Sequence, residues 1–294
     1  MERCDLHVHS MYSDGTCTPE EILALAEKAG LSHVALTDHN TAMGLPRFLD
    51  AARGGKVIPV PGIELSTAYE GVELHLLGLF LPRDAFEAVH GFVEEMHRLK
   101  DENNRSLIAA LRRAGYDMDY DALASRVPGG HINRAHIGAE LARKGYVADI
   151  DEAVKGLLAP GKGFYQPPER LNTLAAIGFL RAQGAVTVLA HPFLQMTEEQ
   201  LNAFLPLARA AGLQAMETCY SLYDAATRQA ARALAARHGL LESGGSDFHG
   251  QNKPAIHLGT GNGSLYVPSA LALQLEKMAK ETQRPLFQMG NNEV

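Results

Sequence analysis

The sequence has little cysteine and no long hydrophobic run, and both shortages exclude classes of protein. Its three cysteines, Cys4, Cys17 and Cys219, are odd in number, far apart and outside any Cys-x-x-Cys pattern. This usage is not that of a disulfide-stabilised scaffold or of a thiolate zinc site. No apolar stretch approaches the roughly 20 residues of a membrane-spanning helix. We therefore expect reduced thiols in a cytoplasmic protein that does not enter a membrane.

Positive charge is also in short supply. The 27 lysine and arginine residues are outnumbered by 34 aspartate and glutamate residues, which gives a net charge of −7 with histidine neutral. Without a basic field, and without a track of aromatic and basic residues, long nucleic acid is not an expected partner. The sequence also offers no convincing Ser-His-Asp or Cys-His set for a side-chain nucleophile. If the substrate is an anion, bound cations must supply the local positive charge.

Histidine is what the sequence has in excess. There are 13 histidines and no tryptophan in a chain that is otherwise ordinary, with 46% hydrophobic and 21% charged residues. A length of 294 residues fits one large α/β domain, or one such domain that carries an insertion.

Predicted strands and helices alternate over residues 1–83 and again after residue 171. Thr18 and Thr197 each begin a capping box at the start of a helix, and Gly30 and Gly212 end those helices. Repeated βα units predict parallel strands with right-handed crossovers, and about seven such units fit the chain. The expected fold class is therefore α/β, with a distorted β/α barrel favoured over a doubly wound sheet.

A helical segment interrupts this alternation. We predict that residues 84–165 form a helical insertion, a cap that contributes to substrate binding, and that 1–83 with 166–294 form the barrel. Helices are predicted in the insertion at 84–114, 118–125, 133–144 and 150–158. Elsewhere the patterns predict a strand at 57–60, a hairpin of 65–69 and 72–79, and no clear element at 265–294.

A His-x-His pair lies at the end of the first predicted strand, in Asp5-Leu6-His7-Val8-His9. Alternate side chains of a strand share a face, so the two imidazoles point the same way. The pair alone is a weak signal, but a histidine or an acid recurs at or just past later strand ends, which meet at one rim of a β/α barrel. The residues that follow this rule are His7, His9, Asp14, His39, Glu64, His75, His191, Asp247 and His249.

Any one of these residues could be a structural histidine or a capping acid. A group of them on one rim is costly unless its members are paired or bound to metal. Mixed imidazole and carboxylate ligands suit catalytic Zn²⁺, Mn²⁺ or Fe²⁺. One ion cannot use nine ligands, so the residues predict a site with two or three metals.

The ordered set of motifs resembles the PHP (polymerase and histidinol phosphatase) superfamily over residues 1–80 and 185–250. The motifs that carry the resemblance are Asp5-Leu6-His7-Val8-His9, Ser13-Asp14-Gly15, Thr37-Asp38-His39-Asn40, Gly62-Ile63-Glu64, His75, Ala190-His191-Pro192 and Gly245-Ser246-Asp247-Phe248-His249. The resemblance implies a distorted (β/α)7 barrel of the PHP type with a trinuclear metal centre.

The resemblance also implies which ligands share a metal ion. One ion would be held by His7, His9, Glu64 and Asp247, a second by Glu64 as a bridge with His75 and His191, and the third by Asp14, His39 and His249. The ions implied are three divalent metals, with Mn²⁺ preferred and Zn²⁺ or Fe²⁺ open. Asp5 and Asp38 would either orient ligand imidazoles or cap strand ends.

A segment of the predicted insertion indicates which branch of the family the chain resembles. Gly130-His131-Ile132-Asn133-Arg134-Ala135-His136-Ile137-Gly138 resembles the Arg-x-His segment of the branch that removes the 3′-phosphate from 3′,5′-nucleoside bisphosphates and trims short oligonucleotides from the 5′ end. Arg134 and His136 would open a helix, where the helix dipole and a bidentate arginine favour phosphate. The alternative is a surface arginine and histidine near a helix start. Lys162 and Tyr165 are weaker candidates for contacting the nucleotide.

The expected activity is metal-assisted hydrolysis of a phosphoester by water, acting on a nucleotide or a short oligonucleotide. Asp247 would be essential, and His191 or His249 could pass a proton to the leaving alkoxide. Three alternatives stay open: a histidinol-phosphate-type phosphatase, a proofreading-type nuclease on long chains, and a non-catalytic metal-binding regulatory module. The sequence predicts no oligomeric state.

Overall fold

The computed structural model describes residues 2–127, 132, 134–159, 161, 164–165 and 171–283. One seven-stranded sheet organises it, and its strands are neighbours in the order of the chain. The strands are β1 (Arg3–Asp5), β2 (Leu31–Leu36), β3 (Ile58–Tyr69), β4 (Val72–Leu79), β5 (Val186–Ala190), β6 (Ala215–Tyr220) and β7 (Leu241–Gly245).

The sheet curls until its two outer strands nearly meet. The β3–β4 and β4–β5 pairs are antiparallel, whereas the other pairs are parallel. The Leu6 amide donates to the Gly244 carbonyl at 3.1 Å, and the Asp247 amide donates to the His7 carbonyl at 2.9 Å. These two bonds bring the end of β7 beside the segment that follows β1. The predicted distorted (β/α)7 barrel is confirmed, with one antiparallel strand, β4, among its seven.

The helices begin and end where the sequence provides stabilising groups. Thr18 and Thr197 both form the predicted capping boxes, and Gly212 ends its helix with a left-handed φ of 112°. The helices are α1 (Pro19–Lys28), α2 (Leu45–Ala51), α3 (Phe86–Arg113), α4 (Tyr120–Ala124), α5 (Arg134–Arg143), α6 (Ile150–Lys155), α7 (Thr173–Ala182), α8 (Glu198–Ala211), α9 (Ala225–Arg237) and α10 (Ser269–Gln283).

The third strand differs from its prediction. Two separate strands were expected at 57–60 and 65–69, but β3 runs without a break from Ile58 to Tyr69. A proline lacks an N–H donor but keeps its carbonyl, and the Pro61 carbonyl accepts the amide of Leu81 at 3.0 Å. The strand therefore continues through the proline and carries Glu64 in its middle.

The last helix was not predicted. Residues 269–283 are polar overall, yet Ala272, Leu275 and Ala279 are buried along one side of α10. They join the same apolar cluster as Cys4 and Val186 of the barrel. Apolar spacing of three and four residues was the signal, and the polar residues between these positions hid it.

The chain divides into two compact units, Met1–His90 with Leu171–Val294, and Gly91–Arg170. The first unit contains the sheet. The second unit has a hydrophobic core of its own, in which Leu111, Ile137 and Leu141 are fully buried. No helix in the described part of the chain is long and apolar enough to cross a membrane.

Candidate metal centre

The side chains predicted as metal ligands meet at one end of the barrel. His7 and His9 follow β1, His39 follows β2, and His191 follows β5. Asp14 lies in the loop between β1 and α1, Glu64 and His75 lie on β3 and β4, and Asp247 and His249 follow β7. The Nε2 atoms of His7 and His9 are 3.1 Å apart, as the alternation of side chains along a strand predicts.

Glu64 lies at the centre of this cluster and is fully buried. Its two carboxylate oxygens face different imidazole rings. Oε2 lies 3.2 Å from His7 Nε2, 3.2 Å from His9 Nε2 and 3.0 Å from His39 Nδ1, and Oε1 lies 3.0 Å from His75 Nδ1 and 3.3 Å from His191 Nε2. A carboxylate with rings on both oxygens has the arrangement of a bridging ligand.

Two further carboxylates complete the cluster. Asp247 Oδ1 lies 3.2 Å from His9 Nε2 and 3.6 Å from His7 Nε2. Asp14, which is about half exposed, has Oδ1 3.2 Å from His249 Nε2 and Oδ2 4.0 Å from His39 Nε2. All of the predicted ligands therefore contact one another within one continuous cluster.

The donor atoms fit divalent cations. Three overlapping groups could each hold an ion: His9 with Asp14, His39 and His249; His7 with His9 and Glu64; His39 with Glu64 and His75. Several buried atoms in these groups form no hydrogen bond, namely His9 Nδ1, His39 Nδ1, Glu64 Oε2 and His249 Nε2. Buried polar atoms in folded proteins nearly always have a partner. Unpaired nitrogen and oxygen atoms that converge on one volume are what a metal centre requires.

The pKa values in the cluster show that its histidines and carboxylates stabilise each other's charged forms. Burial opposes the charged form of His7, but the carboxylates of Glu64 and Glu217 raise its pKa well above the usual value. Burial also opposes the charged form of Glu64, yet the neighbouring His7 and His39 hold its pKa well below the usual value. Burial opposes the charged form of Asp14, but the neighbouring imidazoles of His249, His39 and His9 together lower its pKa to about 2. The carboxylates thus stay ionised and favour a cation among them.

Glu217 is a functional candidate that the sequence reasoning missed. It is fully buried on β6, and its Oε1 accepts from His7 Nδ1 at 3.0 Å. Its Oε2 accepts the backbone N–H of His191 at 2.7 Å. A carboxylate behind a ligand imidazole fixes which ring nitrogen faces the metal, here Nε2 of His7. The sequence pattern predicts a strand at 213–217 that ends at Glu217, so the rule that selected the other acids at strand ends could have found it, although β6 continues to Tyr220.

Tyr220 and Lys253 were also missed, and both hold the outer oxygen of Asp247. The Tyr220 hydroxyl donates to Asp247 Oδ2 at 2.8 Å, and Lys253 Nζ donates to the same oxygen at 2.8 Å. Burial and the Asp247 carboxylate raise the pKa of Tyr220 well above the usual value, so the phenol keeps its proton. No sequence motif marks either residue.

Asp5 and Asp38 bind backbone and hydroxyl groups instead of ligand imidazoles. Asp5 Oδ1 accepts the amide of Ser246 at 2.8 Å, and its Oδ2 accepts the amide of Gly259 at 2.7 Å. Asp38 Oδ1 accepts the amide of Ser10 and the hydroxyl of Ser13, each at 2.7 Å. Of the two roles predicted for these aspartates, their contacts match the capping of strand ends.

Two of the predicted ligands have left-handed backbone conformations, with φ of 30° at His191 and 57° at Asp247. Such conformations are costly for residues other than glycine, and they concentrate at functional sites. Two bonds hold these turns: the His191 amide donates to Glu217, and the Asp247 amide donates to the His7 carbonyl. The protein thus accepts local strain to place these two side chains.

The two histidines predicted as proton donors belong to the ligand cluster. His249 Nδ1 donates to the Asp247 carbonyl at 2.8 Å, which leaves Nε2 facing Asp14. His191 Nδ1 lies 3.2 Å from Gln195 Nε2, and its Nε2 faces Glu64. Each ring therefore has one nitrogen toward the cluster, and a role in proton transfer stays a prediction.

The predicted substrate-binding residues belong to the helical unit. Arg134 opens α5, with its guanidinium carbon 5.0 Å from the centre of the Tyr165 ring. Burial and the charge of Lys100 lower the pKa of His136 below the usual value. Of the other residues named for this role, Gly130, His131, Asn133 and Lys162 lie outside the described residues.

Comparison with known proteins gives matches over most of the chain. The family model of the PHP domain matches residues 5–159. The 5′-3′ exoribonuclease Rnm of Salmonella typhimurium is 30% identical over 270 residues, which is 91% of this chain and 90% of that protein. The 3′,5′-nucleoside bisphosphate phosphatase of Chromobacterium violaceum is 29% identical over 251 residues, covering 85% of this chain and 88% of that protein.

The fold is also similar to a solved structure. A protein from Bifidobacterium adolescentis, described as a candidate metal-dependent phosphoesterase, superposes with a TM-score of 0.69 at 26% identity. The match covers 93% of this chain and 95% of that chain.

Proposed function

The chain belongs to the PHP domain family, and on that premise we propose that it removes the 3′-phosphate from 3′,5′-bisphosphonucleotides such as adenosine 3′,5′-bisphosphate. It is a metal-dependent phosphoesterase. The single observation that carries the finer proposal is the imidazole and carboxylate cluster around Glu64. The similar bisphosphate phosphatase and exoribonuclease supply the substrate class, because both names refer to nucleotide phosphoesters.

We propose three divalent ions, with Mn²⁺ preferred, held in the ligand sets that the family resemblance implies. Bound there, the ions would act as Lewis acids that polarise the phosphate and lower the pKa of water. In the reaction, a water oxygen bonds to phosphorus and the bond from phosphorus to the ribose 3′-oxygen breaks. The 3′-oxygen leaves with a proton, and His191 and His249 are the proposed donors of that proton. The attacking water loses a proton in the same reaction.

The protein's own residues orient this site and bind the rest of the substrate. Glu217 holds His7 with Nε2 toward Glu64, and Tyr220 holds Asp247 with Oδ1 toward His9. Arg134 and His136 are the proposed ligands of the substrate phosphate that is not hydrolysed, since a guanidinium binds phosphate through two parallel hydrogen bonds.

A second activity, the trimming of short RNA from its 5′ end, is supported by the similarity to an exoribonuclease at 30% identity. The two activities need the same chemistry at the metals, since each hydrolyses a phosphoester beside a ribose. With a net charge of −7, the chain favours short oligonucleotides over long ones. We also propose a cytoplasmic location, which the three unpaired cysteines favour.

Phosphate or nucleotide release from metal-loaded protein tests the proposal. The substrates are 3′,5′-bisphosphonucleotides, 5′-phosphorylated oligoribonucleotides of increasing length, and histidinol phosphate. We expect turnover of the bisphosphonucleotide, weaker turnover of short oligonucleotides and none of histidinol phosphate. Preference for histidinol phosphate, or no release from any of them, would overturn the proposal.

A further inference from the structure

We propose that Lys253 binds the phosphate group undergoing hydrolysis. It would be a second phosphate-binding side chain beside the proposed Arg134, and it belongs to the barrel itself. The inference rests on the proposed function, because it takes a phosphoester as the ligand. It assigns to this chain a substrate contact that no sequence motif marks.

Lys253 lies at the edge of the metal-ligand cluster and faces both ligand and solvent. Its Nζ is 2.8 Å from Asp247 Oδ2, while its side chain keeps 42% of its surface exposed. An ammonium group has three N–H donors, and the bond to Asp247 uses one of them. The remaining donors can reach a phosphate oxygen without releasing Asp247.

The loop that carries Lys253 is anchored to the segment around Asp14. Asn252 Nδ2 donates to the Asp14 carbonyl at 2.7 Å, and the Gln251 amide donates to Thr16 Oγ1 at 2.9 Å. These contacts tie the loop after β7 to the loop after β1. Lys253 is therefore held in position before a substrate arrives, which limits the entropy cost of binding.

Lys253 adds a positive charge at one edge of the cluster. Among the described residues, Lys253 is the one lysine or arginine that forms an ion pair with a predicted metal ligand. The proposed metal ions would supply most of the positive charge for a phosphate in this cluster, and the ammonium group of Lys253 would add a cation at its exposed edge beside Asp247. From this position Lys253 gives the phosphate a charge-assisted hydrogen bond.

Positioning of Asp247 does not require Lys253, because Tyr220 donates to the same oxygen from the buried side. The two residues thus divide two roles. Tyr220 keeps Asp247 oriented toward the imidazoles, and Lys253 provides positive charge at the exposed side. Substitution of Lys253 should therefore change phosphate binding, whereas substitution of Tyr220 should change the positioning of Asp247.

The test compares Lys253→Met, Lys253→Arg and Tyr220→Phe in metal-loaded protein. Inorganic phosphate is the probe, measured by calorimetry and as a competitive inhibitor, and metal content is measured in the same samples. We expect Lys253→Met to weaken phosphate binding about 10- to 100-fold with metal content unchanged. Lys253→Arg should recover most of the phosphate affinity. Tyr220→Phe should lower the metal content of the protein, because Tyr220 positions Asp247.

Lys277→Met, which removes an exposed lysine of α10, controls for the loss of one positive charge and should leave phosphate affinity unchanged. Wild-type phosphate affinity in Lys253→Met would overturn the inference. So would a loss of bound metal in that variant, since Lys253 would then act only on Asp247. Calorimetry with inorganic phosphate needs no turnover, so its result is independent of whether the proposed substrate is correct.

Discussion

Single residues in this protein hold the predicted metal ligands from the side away from the cluster. Glu217 accepts from His7 Nδ1 with one oxygen and from the His191 backbone with the other. One buried carboxylate therefore fixes the ring of one ligand and the strained turn of a second. Both contacts need an acceptor, and only a carboxylate offers two acceptor oxygens in this geometry.

Glu217→Gln tests this double role. The amide keeps the shape but replaces one acceptor oxygen by an NH₂ group, which cannot accept from His7 or from His191. We expect metal affinity to fall about 10- to 100-fold, as is typical for the partner of a ligand histidine. Competition with a fluorescent chelator measures it. Glu242→Gln, at a half-exposed glutamate of β7 that accepts from Thr218, is the matched control and should bind metal like the wild type. Equal affinity in Glu217→Gln would show that His7 does not need its partner.

Asp247→Asn should abolish turnover while the fold stays intact. Asp247 presents Oδ1 to His9, and an amide in its place removes the negative charge that a cation would share. Phosphate release measures activity, and far-ultraviolet circular dichroism checks the fold. Near-normal activity in a folded variant would contradict the assignment of Asp247 as a ligand.

Most of the predicted ligands could be read from the sequence because they follow strands, and parallel strand ends share a rim. Glu64 and His75 instead lie within β3 and β4. Glu217 ends a predicted strand and so obeys the same rule, but it lies outside the motifs that carry the family resemblance. Tyr220 and Lys253 could not be found, since their contacts with Asp247 depend on how β6 and the loop after β7 approach each other in space. Sequence spacing carries no information about that approach.

At the scale of elements, the closure of the sheet between β7 and the segment after β1 positions the first ligands. Gly245 ends β7, and a Cβ placed there would lie 2.4 Å from the His7 backbone nitrogen. Only glycine allows the two segments to come so close. His7 and Asp247 are therefore neighbours because position 245 has no side chain.

Gly245→Ala should destabilise the protein and weaken the metal centre together. Relief of the contact must move the backbone of His7, and an overpacked core costs about 1–3 kcal/mol. Urea denaturation measures the free energy of unfolding, and chelator competition measures metal affinity. Gly178→Ala is the control, because its Cβ on α7 meets nothing within 4 Å and should be neutral or slightly stabilising. A variant at 245 as stable as the wild type would contradict the close approach.

The elements also show where local patterns fail. The break predicted in β3 rested on Pro61 and Gly62, but pairing with β4 continues from Gly62 to Tyr69 and overrides the local signal. In α10 the helical pattern was weak, and burial of Leu275 against the barrel core supplies the stability that the local sequence lacks. Both outcomes depend on partners far away in the chain.

At the scale of the whole molecule, the predicted metal ligands come from almost every strand of the barrel, from His7 after β1 to His249 after β7. Strand ends that are distant in sequence thus depend on one another through the cluster around Glu64. Without bound cations, the buried carboxylates rely on charged imidazoles for compensation. Metal binding should therefore stabilise the folded barrel as a unit.

Removal of the metals should lower the melting temperature of the protein. A ligand at 100 times its dissociation constant stabilises the folded state by about 2.7 kcal/mol. For a chain of 294 residues, that corresponds to a decrease of roughly 4–5 °C in Tm. Differential scanning calorimetry with and without a chelator measures the change, and readdition of Mn²⁺ should restore it. Asp247→Asn should show a smaller difference between the two conditions, because one anionic ligand is missing. An unchanged Tm after complete removal of the metal would mean that protein contacts alone hold the strand ends in place. The cluster around Glu64 would then contribute to the chemistry and not to the stability of the fold.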